Sequence, residues 1–384
     1  MFNFTFHNPV RLIFGKGQIA ALSTEVPQGA KVLVIYGGGS IKRNGVYEQV
    51  RQALTGFEVL EFGGIEPNPA YETLMKAVAL VRREQVTFLL AVGGGSVLDG
   101  TKFIAAAVPF QGEPWNILSK QAPVTAAMPW GSVLTLPATG SEMNTAAVIS
   151  RTITHEKLAF LSPLVYPVFS VVDPETTYSL PPRQVANGVV DAFVHVMEQY
   201  CTFPVAAPLQ DRLAEGILRT LIEDGPRTLA DPTNYDARAS LVWCATMALN
   251  GLIAQGVPQD WSTHTIGHEI TAYHNLDHAR TLACLLPNLL WVQRASKREK
   301  LIQFAERVWD VREGSPEARA EAGIVRMRAF FESLGVSTYL SDYQIGTEHF
   351  EHIVARLESR GVLPLGEKKD LDAAKLRQIL AMAR

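Results

Sequence analysis

VTFLLAVGGGS (86–96) decides how the first half of this chain folds. A short apolar run that ends in three glycines and a serine reads as a buried strand delivered into a tight turn. KVLVIYGGGS (31–40) repeats the arrangement, and FEVLEFGGI (57–65) and SVLTLPATGS (132–141) are built alike. Between these runs lie helical stretches such as NPAYETLMKAVALVRREQ (68–85), with Leu74, Val78 and Val81 at helical spacing. Alternation of strand and helix predicts a parallel sheet covered by helices. The pattern changes at DPETTYSLPPRQVANG (173–188), where Pro181 and Pro182 open a helix and almost everything after reads helical. The expected organisation is an α/β domain over 1–180 and an all-α domain over 181–384. No internal repeat or low-complexity tract interrupts either.

The two glycine quartets carry a functional signal. Gly37, Gly38, Gly39 and Ser40 end one strand, and Gly93, Gly94, Gly95 and Ser96 end another. Glycine lets backbone approach a phosphate closely, and N–H groups at a helix start favour an anion. Neither quartet fits GxGxxG, because Lys42 and Leu98 stand at the third glycine position. Two such loops at the carboxyl ends of parallel strands point to a Rossmann-like dinucleotide domain of non-standard motif. The first loop has no carboxylate to accept from ribose hydroxyls, and Lys42 and Arg43 follow it, so NADP(H) is expected over NAD(H).

Composition narrows the function class. With 47% hydrophobic and 19% charged residues, a net charge of −3 and no dense Lys/Arg run, nucleic acid is not an expected partner. MFNFTFHNPVRLIFGKG (1–17) lacks the order of a signal peptide. Cys201, Cys244 and Cys284 are odd in number and widely spaced, which suits reduced thiols in a cytoplasmic protein. Residues 239–259 are uncharged, yet Ser240, Asn250, Gly251, Gln255 and Pro258 interrupt them. The expectation is a central helix of the all-α domain, not a membrane span. Phe2, Phe4 and Phe6 alternate as on an edge strand, and such an edge calls for a partner, so a homodimer is expected.

The second half concentrates metal-binding residue types. Asp191 and His195 are i,i+4 within the apolar stretch VANGVVDAFVHVMEQY (185–200), where a carboxylate is costly unless paired or metal-bound. STHTIGHEITAYHNLDHAR (262–280) adds His264, His268, His274 and His278. Carboxylate oxygen and imidazole nitrogen suit Fe²⁺ or Zn²⁺, and the absence of thiolate favours a catalytic over a structural ion. Spacing leaves open which two of the four histidines bind. HExxH fails because Ala272 occupies the second histidine position, and no GxSxG occurs.

Taken together, FGGIEPNP, AVGGGSVLDGTKFIA, LTLPATGSE, LPPRQVANGVVDAFVHVMEQY and HTIGHE followed by HNLDHA resemble the group III, or iron-containing, alcohol dehydrogenases over essentially the whole chain. The likeness is strongest to the NADPH-dependent aldehyde reductase and butanol dehydrogenase branch. The resemblance implies Asp191, His195, His264 and His278 as ligands of one divalent ion, Fe²⁺ or Zn²⁺. It implies a non-ligand His268 beside the reacting end of the cofactor as a proton relay, and no role for His274 beyond a solvated loop residue. It implies that Gly94, Gly95, Ser96 and Asp99 hold the pyrophosphate, and that Thr135, Thr139 and Lys157 contact the nucleotide. NAD-preferring relatives often carry Asp where this chain has Gly39, which agrees with the charge argument.

The expected activity is reversible hydride transfer between NADP(H) and a small aldehyde or primary alcohol, with the ion as Lewis acid. Three rivals stand beside it: an NAD-dependent polyol dehydrogenase, a dehydroquinate-synthase-like lyase and a metal-dependent hydrolase. The lyase requires basic residues around the metal motifs, where only Arg183 and Arg280 occur.

Overall fold

The computed structural model describes residues 1–384, which form two compact units. One comprises His7–Pro181 with Asp231–Thr246, and the other comprises Met1–Phe6, Pro182–Ala230 and Met247–Arg384. These units differ from a single cut after residue 180 in that Met1–Phe6 groups with the helical unit and Asp231–Thr246 with the sheet.

The first unit is built on six strands: β1 (Arg11–Phe14), β2 (Lys31–Tyr36), β3 (Glu58–Phe62), β4 (Phe88–Gly94), β5 (Trp130–Leu136) and β8 (Phe169–Val172). They pair in the order β1-β8-β5-β4-β2-β3, every pair parallel. An antiparallel hairpin, β6 (Ala146–Arg151) and β7 (Glu156–Leu161), stands apart. Successive side chains of a strand point to opposite faces, so β2 and β4 feed two cores at once. Leu33, Ile35, Leu89 and Ala91 join Leu74, Val78, Val81 and Phe103 on one side. Val32, Val34, Phe88, Leu90 and Val92 join Leu22, Val46 and Val50 on the other.

This topology decides where a ligand binds. From β2 the chain runs outward to β3, whereas from β4 it runs the opposite way to β5. β2 and β4 are neighbours, with Tyr36 opposite Val92, so both glycine loops emerge side by side at the point where the strand order reverses. Open parallel sheets bind ligands outside the carboxyl ends of their strands at such a switch point.

The second unit is helical. Its first long helix, Pro182–Tyr200, starts on the proline that fits an initial turn and is buried at every position from Val185 to Tyr200. Phe193, at its centre, packs against Phe304, Phe330 and Phe331 at ring separations of 5.4–6.3 Å. Helices Ser262–His274 and His278–Val292 follow, joined by a short turn.

Two expectations are corrected. Phe2, Phe4 and Phe6 form no strand: the segment is held by Phe2 N–H donating to Gly256 O (2.9 Å) and by the Phe2–Phe203 ring contact. Alternation gave those residues one apolar face but no neighbouring strand to pair with, and the sheet edge is β1 instead. The uncharged stretch 239–259 is not the centre of the helical unit. Its helix, Tyr235–Ala248, stops before Asn250-Gly251, and Asp231–Thr246 packs with the α/β unit through Thr246 Oγ1 donating to Glu142 Oε1 (2.6 Å). No helix is long and apolar enough to cross a membrane.

Candidate metal centre and nucleotide loops

Asp191 is the focus of the helical unit. Its Oδ1 is buried, makes no hydrogen bond, and lies 3.8 Å from His195 Nε2, 3.9 Å from His264 Nε2 and 3.9 Å from His278 Nε2. These separations are too long for hydrogen bonds. Four donors each about 2.0–2.2 Å from one tetrahedral ion stand about 3.3–3.6 Å apart, and the three Asp191–histidine separations lie within a few tenths of an ångström of that spacing. A buried carboxylate oxygen without a donor costs several kcal/mol unless a cation meets it, and the donor set fits a divalent ion. Asp191, His195 and His264 form the tightest part, one ligand atom of each lying within 4.8 Å of the others.

The local fold explains the convergence. Asp191 and His195 share a face of the Pro182–Tyr200 helix, and His264 lies on the first turn of Ser262–His274. Asn275, left-handed at φ 50°, ends that helix, and His278 starts the next, which returns its ring to 5.1 Å from that of His264. Arg183 Nε (2.7 Å) and Asn187 Nδ2 (2.8 Å) both donate to Asp277 Oδ2, tying the turn to the first helix. His268 sits beside the group, 5.1 Å ring to ring from His278 and 6.1 Å from His264. His274 is elsewhere: it is half-buried with its ring 5.1 Å from His349, and burial, with His349 beside it, pushes its pKa down. It is a packed residue, not a solvated one.

The two glycine loops differ. A Cβ at Gly38 or Gly39 would meet nothing within 4 Å, and Gly39 has φ +82°. In the second loop a Cβ on Gly93, Gly94 or Gly95 would fall 2.5 Å from Val97, 2.8 Å from Leu136 or 2.5 Å from Thr139 Oγ1. The first loop thus leaves space a ligand can take, while the second needs glycine to pack at all. Thr139 lies against Gly95, Thr135 is buried on β5, and Ser96 Oγ accepts from Asn68 N–H (3.3 Å). Lys157 Nζ, nearly buried, donates to Asn68 Oδ1 (2.8 Å). Asp99 accepts from Ser141 Oγ (2.6 Å) and Val148 N–H (2.9 Å), so its carboxylate also fixes the segment after β5. Lys42 is paired: Glu61 Oε2 from β3 is 2.7 Å from its Nζ, which also lies over the Tyr36 and Tyr47 rings.

Two family models divide the chain between them. Residues 9–174 match the iron-containing alcohol dehydrogenase model, and residues 185–382 match the Fe-containing alcohol dehydrogenase family, C-terminal model. The chain belongs to the iron-containing alcohol dehydrogenases. Over 100% of both chains it is 59% identical to the NADPH-dependent aldehyde reductase YqhD of Escherichia coli. It is 42% identical, over 99% of both chains, to a probable NADH-dependent butanol dehydrogenase of Bacillus subtilis. A crystal structure of Escherichia coli YqhD superposes with a TM-score of 0.99, covering 100% of this chain and 99% of that one.

Within this iron-containing alcohol dehydrogenase, several residues of consequence escaped the sequence reading. Asn68, with φ 59°, bridges Ser96 and Lys157; the NP dipeptide after FGGIEP was its only trace. Glu61 had no local signal, because it reaches the first loop from the neighbouring strand. Glu198 is hydrogen-bonded to His264 Nδ1 and accepts from the backbone N–H of Thr263 (2.6 Å), and burial pushes its pKa well up. It was readable only as one more acid on a buried helix. Glu269 is held by Arg356 Nε (3.2 Å) and Arg360 Nη1 (2.8 Å).

Proposed function

We propose that Asp191, His195, His264 and His278 hold one divalent ion, Fe²⁺ or Zn²⁺. We further propose that loops 37–40 and 94–96, with Asp99, Thr135, Thr139 and Lys157, hold NADP(H). The protein is a metal-dependent oxidoreductase that reduces aldehydes to primary alcohols with NADPH and runs in reverse as an alcohol dehydrogenase. The observation that carries this reading is Asp191 Oδ1, buried without a hydrogen bond among three imidazole Nε2 atoms at 3.8–3.9 Å.

When bound, the ion polarises the aldehyde carbonyl as a Lewis acid and NADPH supplies the hydride. His268, next to the His278 ring, hands the product oxygen its proton. Trp261, packed edge-on to His264 at 5.5 Å, gives the centre an apolar wall suited to a small aldehyde. Gly39, with open space and no acid in its loop, supports NADPH over NADH.

The rival chemistries find less support. A lyase needs free cations at the metal, but Arg183 and Arg280 both point at Asp277 Oδ2, at 2.7 and 3.6 Å. A hydrolase needs a base, and Glu269 is occupied by two arginines. The working form is a cytoplasmic homodimer. Three buried free cysteines suit a reducing compartment, and Phe2, Phe4 and Phe6, 43–51% exposed, suit a subunit contact.

The test is NADPH consumption by purified protein with butyraldehyde, before and after chelation, with Zn²⁺ or Fe²⁺ added back separately. Loss on chelation and recovery on add-back is expected, and the better add-back nominates the metal. No consumption with any aldehyde at full metal occupancy overturns the assignment.

A further inference from the structure

Behind the proposed ligands lies a buried polar chain that no step above uses. Glu198, 3% exposed, is three residues after His195 on the same helix. Its Oε2 is hydrogen-bonded to His264 Nδ1, while its Oε1 accepts from the backbone N–H of Thr263 (2.6 Å) and His264 (3.3 Å). The opposite nitrogen of that ring, Nε2, is the one 3.9 Å from Asp191 Oδ1. The Glu198 carbonyl accepts from Asp260 N–H (2.8 Å), and Asp260 accepts from Ser262 N–H (2.8 Å). Lys297, with a side chain 2% exposed, pairs with Asp260 (3.0 Å) and with Glu367 from the C-terminal segment (2.7 Å). One buried cation thus anchors the residues that hold both Glu198 and the start of the Ser262–His274 helix.

We propose that Glu198 is a positioning residue that sets the ring orientation and tautomer of His264. With the Nδ1 proton donated to the carboxylate, the lone pair on Nε2 faces Asp191, and the ring is ready for an ion without rotating or losing a proton. This rests on the ligand set proposed above. A bland alternative is that Glu198 only caps the Ser262–His274 helix, and the two roles separate chemically. In Glu198→Gln the amide oxygen still accepts from the Thr263 and His264 backbone. Its NH₂, however, now donates to Nδ1 and sends the ring proton to Nε2, where it blocks the ligand lone pair.

The experiment is Co²⁺ binding by chelator competition and visible absorption, on wild type, E198Q and D191N, with thermal midpoints of the metal-free proteins. E198Q is expected to bind Co²⁺ about 10–100-fold more weakly and with an altered spectrum, while its metal-free midpoint stays at the wild-type value. Wild-type affinity and spectrum in E198Q, with binding lost in D191N, overturn the role of Glu198 alone. Full affinity in D191N overturns the ligand set and this inference with it. Nitrogen-15 NMR of the histidines in metal-free wild type gives a reading independent of any variant. The Nδ1–H tautomer at His264 is expected, and the Nε2–H tautomer overturns the proposal.

Discussion

A side chain added at Gly39 meets open space, whereas one added at Gly95 collides with Thr139, although both glycines belong to the same four-letter quartet. The left-handed φ of +82° at Gly39 is a conformation that Asp tolerates better than most residues. Gly39→Asp is therefore expected to fold and to move the ratio of kcat/KM for NADPH over NADH toward NADH by about tenfold or more, since about 1.4 kcal/mol of lost phosphate contact suffices. Unchanged selectivity removes this loop from nucleotide discrimination. Lys42 is already answered by Glu61, so the proposed NADP(H) site leaves Arg43, exposed beside it, as the cation for a 2′-phosphate. At the metal, His268→Gln is expected to lower turnover about 10²-fold with metal content unchanged by elemental analysis. Unchanged turnover takes His268 out of the proton path. Spacing alone ranked none of the four clustered histidines above another, because i,i+4 spacing is satisfied by two pairs; only the family resemblance separated them. In three dimensions the turn at Asn275 returns the His278 ring to 5.1 Å from His264 and leaves His274 on His349.

The helix Gly95–Ala107, proposed to meet a phosphate at its start, also carries a buried cation. Lys102 lies wholly buried on it, donating to Asn144 Oδ1 and Ala146 O at 2.7 Å each. Burial pushes its pKa down to about 8, while the nearby Asp99 and Glu142 hold it up. Lys102→Met leaves those acids without their cation. It is expected to destabilise the protein by about 3–5 kcal/mol in urea unfolding; a change below about 1 kcal/mol shows the acids to be neutral in the fold. Strands β2, β3, β4 and β5 were legible because each is an apolar run closed by glycine or a turn. β1 and β8 were not, since four residues such as RLIF or FSVV are too short to show a period. The hairpin β6–β7 was hidden for a related reason: AAVISR and EKLAFL have no glycine-rich turn between them. Alternation at Phe2, Phe4 and Phe6 misled because a period of two specifies a face and never a pairing partner.

At the scale of the whole molecule, the proposed homodimer places its contact on the exposed phenylalanines. Wild type is expected to sediment as a dimer, and the triple substitution of Phe2, Phe4 and Phe6 by Ser as a monomer. A monomeric wild type removes the contact. Composition and motifs foretold an α/β part and a helical part, but not that each is assembled from separate stretches of chain, because no local pattern records which unit a helix joins. The Tyr235–Ala248 helix is the telling case. Glu142, buried in the α/β unit, receives its hydroxyl donor from Thr246, 104 residues further along. A ribosome adding about 5–20 residues per second needs roughly 5–20 s to make that stretch. For that interval the nascent sheet holds a buried carboxylate with its hydroxyl donor still unmade. A message that stalls between these two codons should release a chain that chaperones retain and proteases find.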